Sequence, residues 1–159
     1  ALRKKERAIA RAQLTRSGHV YIISNIGVFG ENVYKIGMTR RLEPMDRVKE
    51  LGDASVPFPF DVHAMIYSED APALENALHK VFHKRRLNLV NLRREFFSVG
   101  LESIKQEIFK EFPDAHFVDF AEAEEYRRSN SMRESYTEQN IEAVETQLAS
   151  PPQNRFYND

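Results

Sequence analysis

Two short runs, His19 to Asn25 (HVYIISN) and Val33 to Gly37 (VYKIG), are dense in β-branched and aromatic residues and are separated by a stretch containing Gly27 and Gly30. Such side chains suit a pleated surface and glycine suits a turn, so the pattern predicts an antiparallel hairpin. Glu43 to Leu51 then reads as a short helix, with Pro44 in its first turn and Gly52 just past its end. Phe58 to Tyr67 (FPFDVHAMIY) alternates well enough for a third strand. From Asp70, a suitable N-cap followed by Pro72, a helix is predicted to about Arg86, with Leu74, Ala77, Leu78, Val81 and Phe82 as its apolar stripe. Glu95 to Val99 (EFFSV) reads as a last short strand and Leu101 to Phe112 as a helix stopped by Pro113.

Outside this stretch the pattern changes. Ala1 to Arg16 holds good helix formers and no glycine or proline, and it begins within the helical pattern, so we read it as the end of a longer helical or coiled-coil segment. Glu122 to Leu148 is helical in composition but mostly polar, and Ser150 to Asp159 reads as a flexible tail. The expected organisation is a helix over 1–17, a domain over 18–113, an acidic helical extension over 114–149 and a tail over 150–159. The expected fold class is α+β: a small three-stranded, mainly antiparallel sheet flanked by helices, with an added helical C-terminal region.

Composition narrows the chemistry. At 159 residues the chain holds material for one core, and the absence of cysteine excludes disulfides, thiolate zinc sites and cysteine nucleophiles. No apolar run approaches the roughly 20 residues of a membrane helix. A cytoplasmic location is expected, with any membrane association made through regions outside this chain. The net charge of -1 hides an asymmetry: residues 1–100 hold 17 Lys and Arg against 11 Asp and Glu, whereas residues 101–159 hold 6 against 13. The basic part suits a polyanion, although basic halves also occur in proteins that bind none.

The order of motifs adds a resemblance. His19-Val20-Tyr21, then Lys35-Ile36-Gly37 within VYKIGMTR, then an arginine-bearing helix, then Glu75-x-x-x-His79 and REFF resemble the GIY-YIG nuclease superfamily over residues 18 to 100. YKIGMTR and the later stretch look like its phage-type branch, which is linked to coiled-coil segments and anti-phage defence.

That resemblance implies an endonuclease that hydrolyses DNA phosphodiesters with little sequence specificity, using one Mg²⁺ (or Mn²⁺) per site. It implies Tyr21 beside the attacking water, Arg47 on the scissile phosphate and Glu75 as the metal ligand. Tyr21 also reads as a packed aromatic, Arg47 as an ion-pair partner of Asp46, Glu43 or Glu50, and Glu75 as a partner of Lys84, Arg85 or Arg86. Arg40 or Arg41 is the equivalent of Arg47 if the register shifts. By its position on the helix, Glu75 falls at the margin of the apolar stripe beside Phe82.

Two positions depart from the motif. Lys35 stands where the second tyrosine is found, and Leu51 where a histidine often follows the arginine. Lys35 can supply positive charge but cannot copy a phenol. His79, one turn after Glu75, is a further candidate at the site, whereas His63, His83 and His116 read as structural. Glu95 falls near the family's asparagine and could support Glu75 or an arginine.

Lys80, Lys84, Arg85, Arg86, Arg93 and Arg94 form a dense basic cluster, which with Arg40 and Arg41 suits phosphate-backbone contact or an ordinary solvated surface. The partners expected are DNA, the N-terminal coiled-coil region of the same protein and other copies of the chain in a homo-oligomer, with no small-molecule cofactor. The competing reading is a catalytically inactive nucleic-acid-binding or assembly module of the same fold.

Overall fold

Gly18–Ser24 (β1) forms the interior of an antiparallel sheet because its consecutive residues Val20, Tyr21, Ile22 and Ile23 are apolar and buried on one face or the other. The computed structural model describes residues 16–136 and 138–149. The predicted N-terminal helix, apart from Arg16 and Ser17, and the 150–159 tail lie outside the described residues. Beside β1 run Val33–Thr39 (β2) and Asp61–Ser68 (β3), and Phe96–Ser98 (β4) completes the order β3-β1-β2-β4. The α+β class expected from the pattern is the one found, with four strands instead of three. The fourth is the EFFSV run, which pairs with β2 through Val33↔Ser98, Tyr34↔Phe97 and Lys35↔Phe96.

The β1–β2 connection, the loop of the expected hairpin, contains one helical turn, Ile26–Phe29 (α1). It is pinned at its start by buried Asn25, whose Nδ2 donates to the Phe58 carbonyl at 2.7 Å. Pro44–Asp53 (α2) follows β2, with Pro44 in its first turn as expected. Strand β3 begins at Asp61, later than predicted, since Pro57 and Pro59 cannot donate to a ladder.

Ala71–Val81 (α3) is capped by Asp70, whose Oδ1 accepts from the Ala73 amide at 3.2 Å. The helix ends short of Arg86. Phe82 turns into the core with φ -100° and ψ 15°, and His83–Arg85 continue as a single 3-10 turn. Arg86 is thereby delivered to an isolated bridge with Phe97. The apolar stripe is also rotated from the prediction. Ala71, Leu74, Leu78 and Phe82 form the buried seam, while Ala77 and Val81 face outward.

The two faces of the sheet carry separate cores, as the period of two along a strand requires. Val20, Ile22, Ile36, Ala64 and Ile66 meet the α3 seam, Phe97 and the buried side of Leu101–Phe109 (α4). Tyr21, Ile23 and Val48 form the smaller core on the other face, where α2 packs. After α4 the chain returns along β3. The Val118 amide donates to the His63 carbonyl at 2.8 Å, and the Ala123 amide to Asp61 Oδ2 at 3.0 Å. The first compact unit accordingly runs to Ala123, past the expected boundary at 113. A second unit contains Glu124–Glu134 (α5), on which no residue is buried, and Glu138–Ala149 (α6).

Candidate active site

Tyr21 and Gly37 are paired directly across β1 and β2. A Cβ on residue 37 would fall 2.6 Å from Tyr21 Cε2, so the phenol ring lies across the bare glycine. The ring is 2 % exposed. Burial pushes the phenol up to about 12; Glu95 and, more weakly, Glu75 add to the rise, while the Arg47 guanidinium, within hydrogen-bonding reach, pulls against it. At neutral pH the phenol is therefore protonated, fit to hydrogen-bond a water but not to deprotonate one.

Lys35, on the same face of β2, is largely buried over Phe96 with Nζ 5.2 Å from the ring centroid, and it pairs with Glu95 at 3.6 Å. Burial lowers its pKa and the Glu95 charge opposes that shift. Arg47 extends from α2 and forms an ion pair with Glu50 at 3.5 Å, the helix-surface pairing anticipated from sequence, while also reaching Tyr21. Glu50 binds Arg41 as well, so Arg41 is engaged on α2. Arg40 is exposed beside it.

The seam of α3 covers the sheet face opposite Tyr21 and Arg47, and Glu75 and His79 reach the site by another route. Strand β4 pairs only with Val33–Lys35, so the edge of β2 is open from Ile36 onward. The Ile36 amide still donates to the Glu95 carbonyl at 3.2 Å, but the Ile36 carbonyl is taken by His79 Nε2 at 2.7 Å. Helix α3 thus substitutes a side chain for the missing strand and carries Glu75, one turn earlier, to the same edge. Because a carbonyl only accepts, Nε2 bears the proton and the lone pair is left on Nδ1. Burial lowers the His79 pKa, keeping the ring neutral. Phe97 packs against it at 5.2 Å between ring centroids and carries Arg86 at 4.9 Å.

Glu75, His79 and Glu95 offer three ligand atoms within 4.8 Å of one another. Burial, then the neighbouring Glu95 charge, pushes the Glu75 carboxyl up to about 7, with Lys35 and Arg86 opposing. Two carboxylates and a neutral, carbonyl-oriented imidazole form a donor set that a divalent cation fits. The cation would offset the repulsion between the acids, and the Ile36 carbonyl fixes the ring tautomer as such partners do around metal-bound histidines.

Tyr21, Lys35, Arg47, Glu75 and His79 therefore come to one edge of the sheet, as do Glu95 and Arg86. The sequence offered Arg86 as a member of the basic cluster and as one of three possible partners of Glu75, and its charge does act on Glu75. Lys84, Arg85 and Arg94 are exposed, as are Lys80 and Arg93. Sequence reasoning assigned no role to Phe97, although its alternation with Glu95 could have indicated one, or to Gly37 as the platform for Tyr21. Of the remaining histidines, His63 is fully satisfied: Nδ1 donates to the Val118 carbonyl at 2.6 Å and Nε2 accepts from Ser24 Oγ at 2.7 Å.

The fold and this edge define a small α+β domain with a polar, mixed-charge site on a four-stranded sheet. The T5orf172 domain family model matches residues 18–112, and the chain belongs to that family, a nuclease-like, phage-associated group of domains. No curated protein and no solved structure gives a significant match. Among the described residues no helix is long and apolar enough to cross a membrane.

Proposed function

We propose that this domain is a metal-dependent endonuclease of GIY-YIG type that hydrolyses DNA phosphodiesters with little sequence preference, acting in defence against phage. The observation that carries the reading is the meeting of Glu75, His79 and Glu95 within 4.8 Å, beside Lys35 and the Tyr21–Arg47 pair. Glu75 and Glu95, with His79 as nitrogen donor, would hold one Mg²⁺ or Mn²⁺, which supplies Lewis-acid stabilisation of charge on the phosphate.

The chain's own residues do the rest. Arg47 donates to non-bridging phosphate oxygens and stabilises the pentacoordinate transition state. Tyr21, protonated and held over Gly37, orients the attacking water through its hydroxyl. Lys35 adds positive charge on the same face. Water attacks phosphorus in line, the P–O3′ bond breaks, and the products are a 5′-phosphate and a 3′-hydroxyl, as the family resemblance implies. The exposed arginines and lysines around the site hold the backbone without reading bases.

Supercoiled plasmid incubated with the protein should be nicked in Mg²⁺ or Mn²⁺ and left intact in EDTA. The second reading, a binding module without catalysis, is favoured by one observation: with the Tyr21 phenol protonated and lysine at position 35, neither tyrosine position of the motif supplies a base for the water. Retarded migration of DNA without nicking in either metal would select it.

A further inference from the structure

The chain between the two site residues Arg86 and Glu95 projects outward as a loop whose side chains contradict its position. Leu89 is 61 % exposed and Val90 97 %, with Leu87 and Leu92 about half exposed, on a segment flanked by Arg85, Arg86, Arg93 and Arg94. Four apolar side chains gathered on one short exposed loop between pairs of arginines call for a partner.

The loop is also shaped in advance. Asn88 Oδ1 accepts from the amides of Val90 at 3.0 Å and Asn91 at 2.7 Å, and Asn91 Oδ1 accepts from Arg93 at 3.1 Å. The Arg94 amide closes onto the Asn91 carbonyl at 3.1 Å, and Arg86 Nη1 donates to the Leu92 carbonyl at 3.2 Å. With the Val90, Asn91, Arg93 and Arg94 amides bonded within it, the loop presents Leu89 and Val90 as a shaped apolar tip. Both of its roots lie in the site: Arg86 through its charge on Glu75 and His79, and Glu95 through Lys35.

We propose that this tip is a wedge that enters duplex DNA beside the scissile phosphate, parting a base step while the flanking arginines hold the adjoining phosphates. The proposal rests on the nuclease reading of the site and specifies how its substrate is engaged. The charge around the loop selects a polyanion, and the largest apolar surface a duplex can offer the tip lies between its stacked bases. Proteins that bend DNA from the minor groove insert leucine and similar side chains in this way. Opening the step would expose the backbone to Arg47 and the Glu75 edge.

The test uses a 30-base-pair duplex with 2-aminopurine at scattered positions, bound in EDTA so that nothing is cut. Parent protein should raise 2-aminopurine fluorescence at least twofold on binding. L89S/V90S, a change confined to exposed side chains, should bind within threefold of the parent, lose most of the rise and nick plasmid in Mn²⁺ at least tenfold more slowly. R93Q/R94Q should weaken binding while leaving the fluorescence rise at saturation. If the parent binds and nicks DNA without a fluorescence rise, or if L89S/V90S keeps the full rise, the wedge is overturned and the nuclease reading stands. If the parent binds DNA and raises fluorescence but never nicks, the nuclease reading fails alone. Absence of DNA binding overturns both. If L89S/V90S instead converts a parent dimer to monomer in sedimentation, the tip is an interface between copies and the wedge is overturned.

Discussion

The phenol of Tyr21 lies flat across Gly37, its cross-strand partner, so that a single absent Cβ decides where the candidate water-orienting hydroxyl stands. The neighbouring atoms are part of a rigid buried ring, which has no free end to swing aside. Gly37→Ala must push the ring outward or part the strands. We expect a loss of about 1–3 kcal/mol in denaturant stability, the usual cost of overpacking a core. Plasmid nicking should fall with it, and more than Tyr21→Phe lowers it, because the phenylalanine ring keeps its place. A Gly37→Ala protein as stable as the parent would show that the ring is not seated as described.

The Glu75 carboxyl gives the metal-free protein a stability that depends on pH with a definite sign. Its pKa rises from 4.5 to about 7 on folding, so the folded state binds the proton more tightly than the unfolded one. The associated stability is complete below 4.5, declines as pH rises and is gone above 7. For a half-buried carboxyl screened by solvent the expected loss between pH 4.5 and 8 is about 1–2 kcal/mol. Urea unfolding in EDTA across this range should show the decline, and Glu75→Gln should flatten it. A parent profile that stays flat, or that rises with pH in this window, contradicts the environment described for Glu75.

The strands and the helix cap at Asp70 were legible because each is a local property: alternation, β-branching, and an acid ahead of a proline. The end of α3 was not. Composition favours helix through Lys84 and Arg86, and only the pull of Phe82 into the core and the bridge from Arg86 to Phe97 turn the chain away. At the site, motif order was enough to name Tyr21, Lys35, Arg47, Glu75 and His79 as candidates. It could not reveal how a helix covering one face delivers residues toward the other. That depends on β4 being three residues long and leaving the Ile36 carbonyl for His79, a consequence of pairing distant in sequence.

The first compact unit, ending at Ala123, holds every residue assigned to the site. Its β3 edge needs residues 114–123, which supply Val118 and Ala123 to the His63 and Asp61 hydrogen bonds. Truncation after Ala123 should keep a cooperative unfolding transition and leave DNA affinity unchanged or higher. Truncation after Pro113 should destabilise the domain by about 2 kcal/mol or more, since it strips partners from a buried histidine. Equal stability of the two truncated chains, measured by thermal denaturation, would remove the 114–123 segment from the fold.

The most divided consequences belong to Glu75 and His79, because each has a helix-packing role that is separable from chemistry. Glu75→Ala removes a carboxylate whose proposed service is to a cation at the phosphate, and losing that service costs several kcal/mol of transition-state stabilisation, at least about 10²-fold in rate. DNA binding in EDTA should survive and even tighten, because a negative charge beside the phosphate is gone. His79→Ala acts differently. A nitrogen donor favours Mn²⁺ over Mg²⁺, which prefers oxygen and water. The parent should therefore nick faster in Mn²⁺, and His79→Ala should lose most of that advantage while retaining more of its Mg²⁺ rate. Because His79 also closes the open edge of β2, Asn at this position serves as the control: it can still offer an N–H toward the Ile36 carbonyl, without the imidazole lone pair. Nicking by Glu75→Ala at the parental rate in both metals would require the site to be withdrawn. An unchanged Mn²⁺ to Mg²⁺ ratio in both His79 variants would confine that histidine to holding the edge of the sheet.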